Sequence, residues 1–223
     1  FFQQFSVTGP MARNIPDLAL LLSVQAGFDA RLPLTRRSED VAAFGQPLER
    51  DFQGTRIGWL GDLGGYLPTD PGLYTTCEKA LGHFRAVGCT VEKAVVDFDL
   101  DQLWKAWLDL RSFNVAGANA ALYHDAPKRG QLKPEAVWEI QRGLALTAMQ
   151  VYDAARVRTA WYQALRGLFT RFDFLVLPAA QVFPFDASLD WPHEVAGRRM
   201  DTYHRWMQTV VPATMAGLPA LAA

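Results

Sequence analysis

The chain has 223 residues with a net charge of −1 and a pI of about 6.5, and half of its residues are hydrophobic. Such a composition can bury a substantial core, and the charge excludes the strongly basic surface that is typical of nucleic-acid-binding domains. No apolar run reaches the ~18 residues that suggest a membrane span. We therefore expect a folded protein with no nucleic-acid partner and no membrane partner.

The two cysteines, Cys77 and Cys89, are too few to form a disulfide framework. Free cysteines are usually buried and behave as small apolar residues, so we expect both to lie in the core. A chain that does not depend on disulfides favours a reducing, cytoplasmic location.

A turn followed by a helix is predicted near the start of the sequence. The Gly9-Pro10 pair ends any extended segment before it. Asn14 is placed to cap the helix, and Asp17 lies where a negative charge favours the helix dipole. Apolar residues then recur at helical spacing until Gly27, which suits a helix end. The pattern predicts a well-capped core helix.

A β-strand, helix and β-strand are predicted in the next part of the chain, at residues 56–60, 71–87 and 90–96. Strands joined by a crossover helix run parallel, so this segment is expected to be a βαβ unit. A third short strand at residues 174–177 has no polar alternation, which indicates burial on both faces. We predict that all three strands belong to one sheet.

Long helical regions are predicted at residues 99–122 and 134–172, with candidate breaks in the second region near Gly143 and Gly167. A loop at 179–199 and a last helix at 200–215 follow. Helices packed on a parallel sheet define the α/β class.

Neither a nucleophile with its base nor a metal site is predicted by motif. No serine lies in a Gly-x-Ser-x-Gly turn. The segment that starts at His193 resembles the zinc-binding pattern His-Glu-x-x-His, but Gly197 stands where the second histidine must be. A degenerate glycine pattern at residues 58–64 keeps a nucleotide-binding βαβ domain open as a weak alternative. The five serines are Ser6, Ser23, Ser38, Ser112 and Ser188.

The Gly-Pro-Met-Ala-Arg motif at residues 9–13, with the apolar helix after it, resembles the segment that closes the signature region of the amidase signature family. Later segments resemble the same family in the same order. They are the Arg-Ile-Gly-Trp strand at 56–59, the strand and proline at 172–178, and the Gly-Leu-Pro-Ala turn at 217–220. The likeness covers nearly the whole chain.

This resemblance implies an α/β fold in which a mixed β-sheet is flanked by helices, and a Ser–cis-Ser–Lys mechanism of amide hydrolysis. It implies no cofactor and no metal. The family's catalytic residues lie in a Gly/Ser-rich segment before the Gly-Pro turn, and the sequence contains no such segment. We therefore expect residues 1–223 to be one partial amidase domain without the catalytic amino-terminal segment and the final strands. Alone, it should be inactive.

The region after the signature shapes the acyl-binding side of the cleft in this family. The resemblance therefore implies substrate-binding candidates among the aromatic and turn residues, with core packing as the alternative role for each. The candidates are Trp107, Phe113, Pro178, Tyr203 and Trp206.

The expected function is that of an amidase-type hydrolase acting on C–N bonds in small-molecule amides or carbamates. One alternative is an amidotransferase A-type subunit that hydrolyses glutamine together with partner proteins and tRNA. Another is a noncatalytic binding module. Apolar segments at residues 1–5 and 218–223 also suggest a homodimer if they are exposed.

Overall fold

The structure is a computed structural model that describes residues 5–35 and 41–222. The chain forms two compact units, Phe1–Asp51 and Phe52–Ala223. Residues 1–4 and 223, which the homodimer prediction includes, lie outside the described residues.

The first unit contains helix α1 (Ile15–Gln25) and a 3₁₀ helix (Val41–Gly45). The predicted cap of α1 is confirmed, because the Asn14 side chain accepts a hydrogen bond from the backbone N–H of Asp17 at 2.8 Å. The expected burial is not observed, since no residue of α1 is buried. The other regular element described in this unit is a five-residue 3₁₀ helix, which offers little surface to cover an apolar helix.

The second unit is built on a three-stranded parallel sheet. Strand β1 (Arg56–Trp59) leads through helix α2 (Leu73–Ala86) to β2 (Thr90–Lys93), and β3 (Phe174–Val176) follows much later in the sequence. The spatial order is β2-β1-β3, with β1 in the centre and parallel to both neighbours. The prediction of one sheet with a βαβ unit is confirmed.

Four consecutive helices occupy the sequence between β2 and β3. They are α3 (Leu100–His124), α4 (Ala126–Arg129), α5 (Pro134–Leu144) and α6 (Ala148–Leu168). Asp99 caps α3 by accepting a hydrogen bond from the backbone N–H of Gln102 at 2.9 Å. Helix α3 packs against both α5 and α6, so it is the central helix of the unit.

The predicted break near Gly143 is confirmed, because α5 ends at Leu144 and α6 begins at Ala148. Gly143 also has a packing role. A Cβ atom at this position would lie 2.0 Å from the backbone oxygen of Ser112 on α3, so only glycine allows the two helices to approach this closely.

The last part of the unit differs from the prediction of a single helix at residues 200–215. A small antiparallel hairpin, β4 (Glu194–Val195) and β5 (Arg198–Arg199), is followed by a 3₁₀ helix (Arg205–Val210) and a short helix α7 (Val211–Ala216). The backbone of Met207 leaves helical geometry, with φ −112° and ψ 21°. Pro212, which lacks an N–H group, lies at the start of α7. The prediction of one continuous helix is therefore wrong.

The α/β class is confirmed, and the three described strands of the main sheet are all parallel. The core includes Trp161 of α6, which is fully buried and donates a hydrogen bond from its indole Nε1 to the oxygen of Pro212 at 2.9 Å. Within the described ranges, no helix combines the length and the apolar character needed to cross a membrane.

Candidate functional site

The carboxyl ends of β1 and β3 meet at one edge of the sheet, where ligands commonly bind in α/β folds. Gln181, which is buried in the loop after β3, holds this edge together. Its Nε2 donates to the oxygen of Pro68 at 2.9 Å, and its Oε1 accepts from the backbone N–H of Thr209 at 3.0 Å. Thr209 in turn donates from its hydroxyl to the oxygen of Pro178 at 2.6 Å. The loops after both strands and the 3₁₀ helix are thus fixed to one another.

Tyr66 forms a second polar contact between the loop after β1 and the carboxy-terminal segment. Its hydroxyl donates to Asp101 Oδ1 at 2.8 Å and accepts from Gln208 Nε2 at 3.1 Å. Burial raises the pKa of the Tyr66 hydroxyl, and the hydrogen bond to Asp101 raises it further. A small cavity of about 10 Å³ lies beside Tyr66, Gln208 and Trp104, which is room for about one water molecule.

Arg205 places a positive charge next to this cavity. Its guanidinium lies 4.4 Å from the centre of the Trp104 ring and pairs with Asp201 at 2.9 Å. A third contact, from Nη1 to Gln208 Oε1 at 3.3 Å, orients the amide that binds Tyr66. The cation is therefore held by an aromatic face, a carboxylate and an amide at the same time.

A buried polar and aromatic cluster surrounds His204, at the amino end of the 3₁₀ helix. Glu139 Oε1 lies 3.3 Å from His204 Nε2. The Nε of Arg111 lies 2.5 Å from that carboxylate oxygen and 3.1 Å from the same imidazole nitrogen. Burial opposes the ionisation of Glu139, but the hydrogen bonds from His204 and Arg111 outweigh it and lower the pKa of this carboxyl. The cluster joins α3, α5 and the carboxy-terminal segment.

Two predicted substrate-binding residues, Trp107 and Tyr203, are brought together by this cluster. Their rings lie 5.4 and 5.1 Å from the imidazole of His204, both edge-to-face. Trp107 is buried and Tyr203 is half-buried.

The other three predicted residues lie elsewhere. Half-buried Trp206 packs edge-to-face on Phe185 at 5.5 Å. Pro178 is buried at the carboxyl edge of the sheet, and Phe113 is half-buried on α3, more than one turn beyond Trp107. The structure thus places two of the five residues in the His204 cluster, and Trp206 beside Phe185, Pro178 at the sheet edge and Phe113 on α3 each in a separate place.

The hydroxyls of Ser112 and Ser23 form hydrogen bonds that stabilise the fold. Ser112 Oγ accepts a hydrogen bond from Arg142 Nη1 at 3.2 Å, and Arg142 also pairs with buried Asp109. Ser23 donates to the backbone oxygen of Leu20 at 2.7 Å. These hydroxyls are bound to structural groups, and neither contacts His204. Among the described residues, no group of three or more metal-ligating side chains comes together.

Sequence reasoning missed Gln181, Thr209, Glu139 and His204 as organising residues. Glu139 precedes Ile140 on the inward face of α5, and an acidic residue on an inward face is a usable signal for a buried pair. For Gln181 and Thr209 no comparable signal exists, because their role depends on the contact between two distant loops.

The family model described as Amidase matches residues 1–223. The chain therefore belongs to the amidase family.

Curated relatives include two kinds of protein. The A-type subunit of the glutamyl-tRNA(Gln) amidotransferase of Thermus thermophilus is 30% identical over 96% of this chain and 47% of its own length. An amidase of Pseudomonas putida is 22% identical over 92% of this chain and 40% of its own length. The chain spans about half the length of the curated relatives that it matches.

Solved structures support the fold. A bacterial aryl acylamidase of the amidase signature enzymes superimposes on 94% of this chain and 44% of its own chain, with a TM-score of 0.81 and 23% identity. The A-type subunit of the glutamyl-tRNA(Gln) amidotransferase of Thermotoga maritima gives a TM-score of 0.64 at 19% identity, over 95% of this chain and 44% of its own.

Proposed function

We propose that this chain forms part of the substrate cleft of an amidase that hydrolyses C–N bonds in small-molecule amides or carbamates. The observation that carries the proposal is the match of the family model along all 223 residues. The carboxyl edge of the sheet supports it, because the loops after β1 and β3 are fixed there by Gln181 and Thr209. Such an edge offers a rigid wall against which a substrate can be oriented.

The nucleophile and its base belong, in this proposal, to a part of the amidase domain outside these residues. The sequence has no adjacent serine pair and no Gly/Ser-rich segment. The implied Ser–cis-Ser–Lys unit supplies nucleophilic attack on the amide carbon and proton transfer to the leaving amine. Residues 1–223 are then one partial domain that is inactive when alone.

The acyl side of the cleft is assigned to the five predicted residues, in two roles. Tyr203, Trp206 and Phe113 are half-buried, so their rings can contact a substrate. Trp107 and Pro178 are buried, so the role assigned to them is to stabilise the cleft through packing. An apolar substrate body would gain from such aromatic walls. We further propose that the protein is cytoplasmic and that its partner is the small-molecule amide. Two copies would form a homodimer through the apolar segments at residues 1–5 and 218–223.

The test uses the chain joined to the amino-terminal half of a bacterial aryl acylamidase, and measures turnover of aryl and aliphatic anilides. Trp206→Ala should raise KM for the aryl substrate about tenfold, the effect of losing ~1.4 kcal/mol of binding. The matched control is Tyr152→Ala, an exposed aromatic residue of α6, which should leave KM unchanged. Equal KM values for Trp206→Ala and the parent would overturn the assignment.

A second candidate is an amidotransferase A-type subunit, because the relative from Thermus thermophilus is 30% identical over nearly the whole chain. This function requires glutamine hydrolysis in a complex with partner subunits. Incubation of the joined protein with glutamine, followed by ammonia detection, separates the two. Release of ammonia from glutamine without turnover of anilides would favour the second candidate.

A further inference from the structure

A groove of about 410 Å³ runs along the second unit between α2 and β2. This volume falls within the range of small-molecule sites, about 300 to 1,000 Å³. On the helix side the lining residues are spaced by four, three and four positions, which places them on one stripe. They are Tyr74, Glu78, Leu81 and Arg85.

The sheet side of the groove is formed by one face of β1 and β2. Trp59 pairs with Lys93 in the parallel register, and Val91 lies two residues before Lys93. Paired residues, and residues two apart on a strand, project to the same face of a sheet. Trp59, Val91 and Lys93 therefore face α2 together. Buried Trp59 and Leu81 and half-buried Val91 supply an apolar floor.

One residue that lines the groove carries a hydrogen-bond donor with no acceptor among the described residues. The indole Nε1 of Trp59 is buried, and none of the described residues accepts from it. A Cβ atom built on Gly61 would lie 2.9 Å from the Tyr74 hydroxyl and 3.4 Å from that indole nitrogen, so both polar atoms lie over the same glycine. A buried N–H without an acceptor costs about 1–3 kcal/mol.

The charged side chains of the groove also favour an anionic ligand. In the part of the chain that the structure describes, the side chains of Arg85 and Lys93 form neither a hydrogen bond nor an ion pair. Of the two acidic residues in the groove, Glu92 lies 3.9 Å from Arg171, which lies outside it. Glu78 is the remaining acid, so the groove has two available cations and one available anion.

We propose that this groove binds a small organic carboxylate with a flat apolar body. The carboxylate accepts hydrogen bonds from the Trp59 indole and the Tyr74 hydroxyl and pairs with Lys93. The body lies on Leu81 and Val91. A neutral amide of the same shape keeps the apolar contacts but loses the charge-assisted bonds, which are roughly twice as strong as neutral ones.

The test follows the indole N–H signals of the ¹⁵N-labelled chain by NMR while sodium benzoate is added. The signal that disappears in Trp59→Phe identifies Trp59. Benzoate should move this signal downfield in a saturable manner, as expected when the N–H acquires an acceptor. Benzamide should bind about tenfold more weakly and benzylamine more weakly still. Equal affinity for the three compounds, or an unmoved Trp59 signal at benzoate concentrations on the order of 10 mM, would overturn the proposal.

Lys93→Gln should weaken benzoate binding about tenfold and leave benzamide binding unchanged. Lys79→Gln is the matched control, because Lys79 is an exposed lysine on α2 that does not line the groove. Spectral dispersion in the same experiment verifies that each variant is folded. Equal losses for Lys93→Gln and Lys79→Gln would show that benzoate responds only to overall charge, and would contradict the site.

Discussion

Nη2 of Arg56 lies 2.9 Å from Oδ1 of Asp173, although 117 positions separate the two residues in sequence. Asp173 Oδ2 also accepts from the backbone N–H of Arg56 at 2.8 Å. Arg56 begins β1 and Asp173 directly precedes β3, so this pair fixes the register of two strands that are distant in sequence.

The pair predicts a dependence of stability on pH. The hydrogen bonds from Arg56 lower the pKa of Asp173 from its ordinary 3.8 to about 2. Because the folded-state pKa is the lower one, the contribution to stability is present above the ordinary pKa and is lost as the pH falls towards 2. The difference in free energy of unfolding between the parent and Asp173→Asn should be constant near neutral pH and shrink between about pH 4 and pH 2.

Urea titrations at a series of pH values measure this difference. Asp153→Asn is the control, since Asp153 lies 3.7 Å from Arg156 in an exposed pair that contributes little. A constant difference between the parent and Asp173→Asn down to the lowest pH would contradict the account.

A second prediction concerns the buried Glu139. Glu139→Gln removes the charge that binds His204 and Arg111, and should lower the free energy of unfolding by about 2 kcal/mol. Glu135→Gln, in the first turn of the same helix, should cost only about 0.5 kcal/mol through the helix dipole. Chemical denaturation at neutral pH compares the two variants. If both variants lost a similar free energy of unfolding, the His204 cluster would not contribute more to stability than an exposed helix residue does.

The helix contact at Gly143 gives a third prediction. Gly143→Ala should destabilise the chain by about 3 kcal/mol, because the added methyl group would meet the backbone of Ser112, which cannot move aside as a flexible side chain could. Gly167→Ala is the matched control in α6, where nothing lies within 4 Å of the added atom. That change should be neutral or stabilising by about 0.5 kcal/mol. Thermal or urea unfolding of both variants is the measurement, and a tolerated Gly143→Ala would refute the close approach.

Much of the second unit could be predicted from sequence, because its signals are local. The three strands of this unit follow from short apolar patterns, and in the first unit the cap at Asn14 follows from a capping residue placed directly before an apolar helix. The carboxy-terminal helix could not be predicted correctly. The apolar spacing around Met207 is compatible with a helix. In the structure the backbone of Met207 is not helical, and the next two residues, Gln208 and Thr209, bond to Tyr66 and Gln181, which are distant in sequence.

The candidate site was predictable only in part. Aromatic residues such as Trp107 and Tyr203 stand out in the sequence, but His204, which joins them, looks like any isolated histidine. Its partner Glu139 is 65 positions away, and the sequence alone gives no reason to pair the two. Long-range polar pairs of this kind become evident only when the helices are packed.

Thr209 provides a fourth prediction, at the sheet edge. Thr209→Val keeps the shape of the side chain but removes the donor to Pro178, and should cost about 1–2 kcal/mol because the carbonyl remains buried. The control is Thr170→Val, since the Thr170 hydroxyl donates to Gly167 at an exposed position. In the joined enzyme, Thr209→Val should also raise KM for anilides. If neither the stability nor the KM of Thr209→Val changed, the sheet edge would not be part of the substrate cleft.

The proposal that residues 1–223 form the cleft part of an amidase, without its hydrolytic machinery, is tested most directly by an activity measurement on two proteins. One is the chain alone, and the other is the chain joined to the amino-terminal half of a bacterial aryl acylamidase. Both are incubated with anilides and with a serine-directed fluorophosphonate. We expect neither hydrolysis nor labelling from the chain alone, and turnover from the joined protein that is lost when the nucleophilic serine of the added half is changed to alanine. Hydrolysis by the chain alone, with labelling of one of its own five serines that is abolished by its change to alanine, would contradict the account.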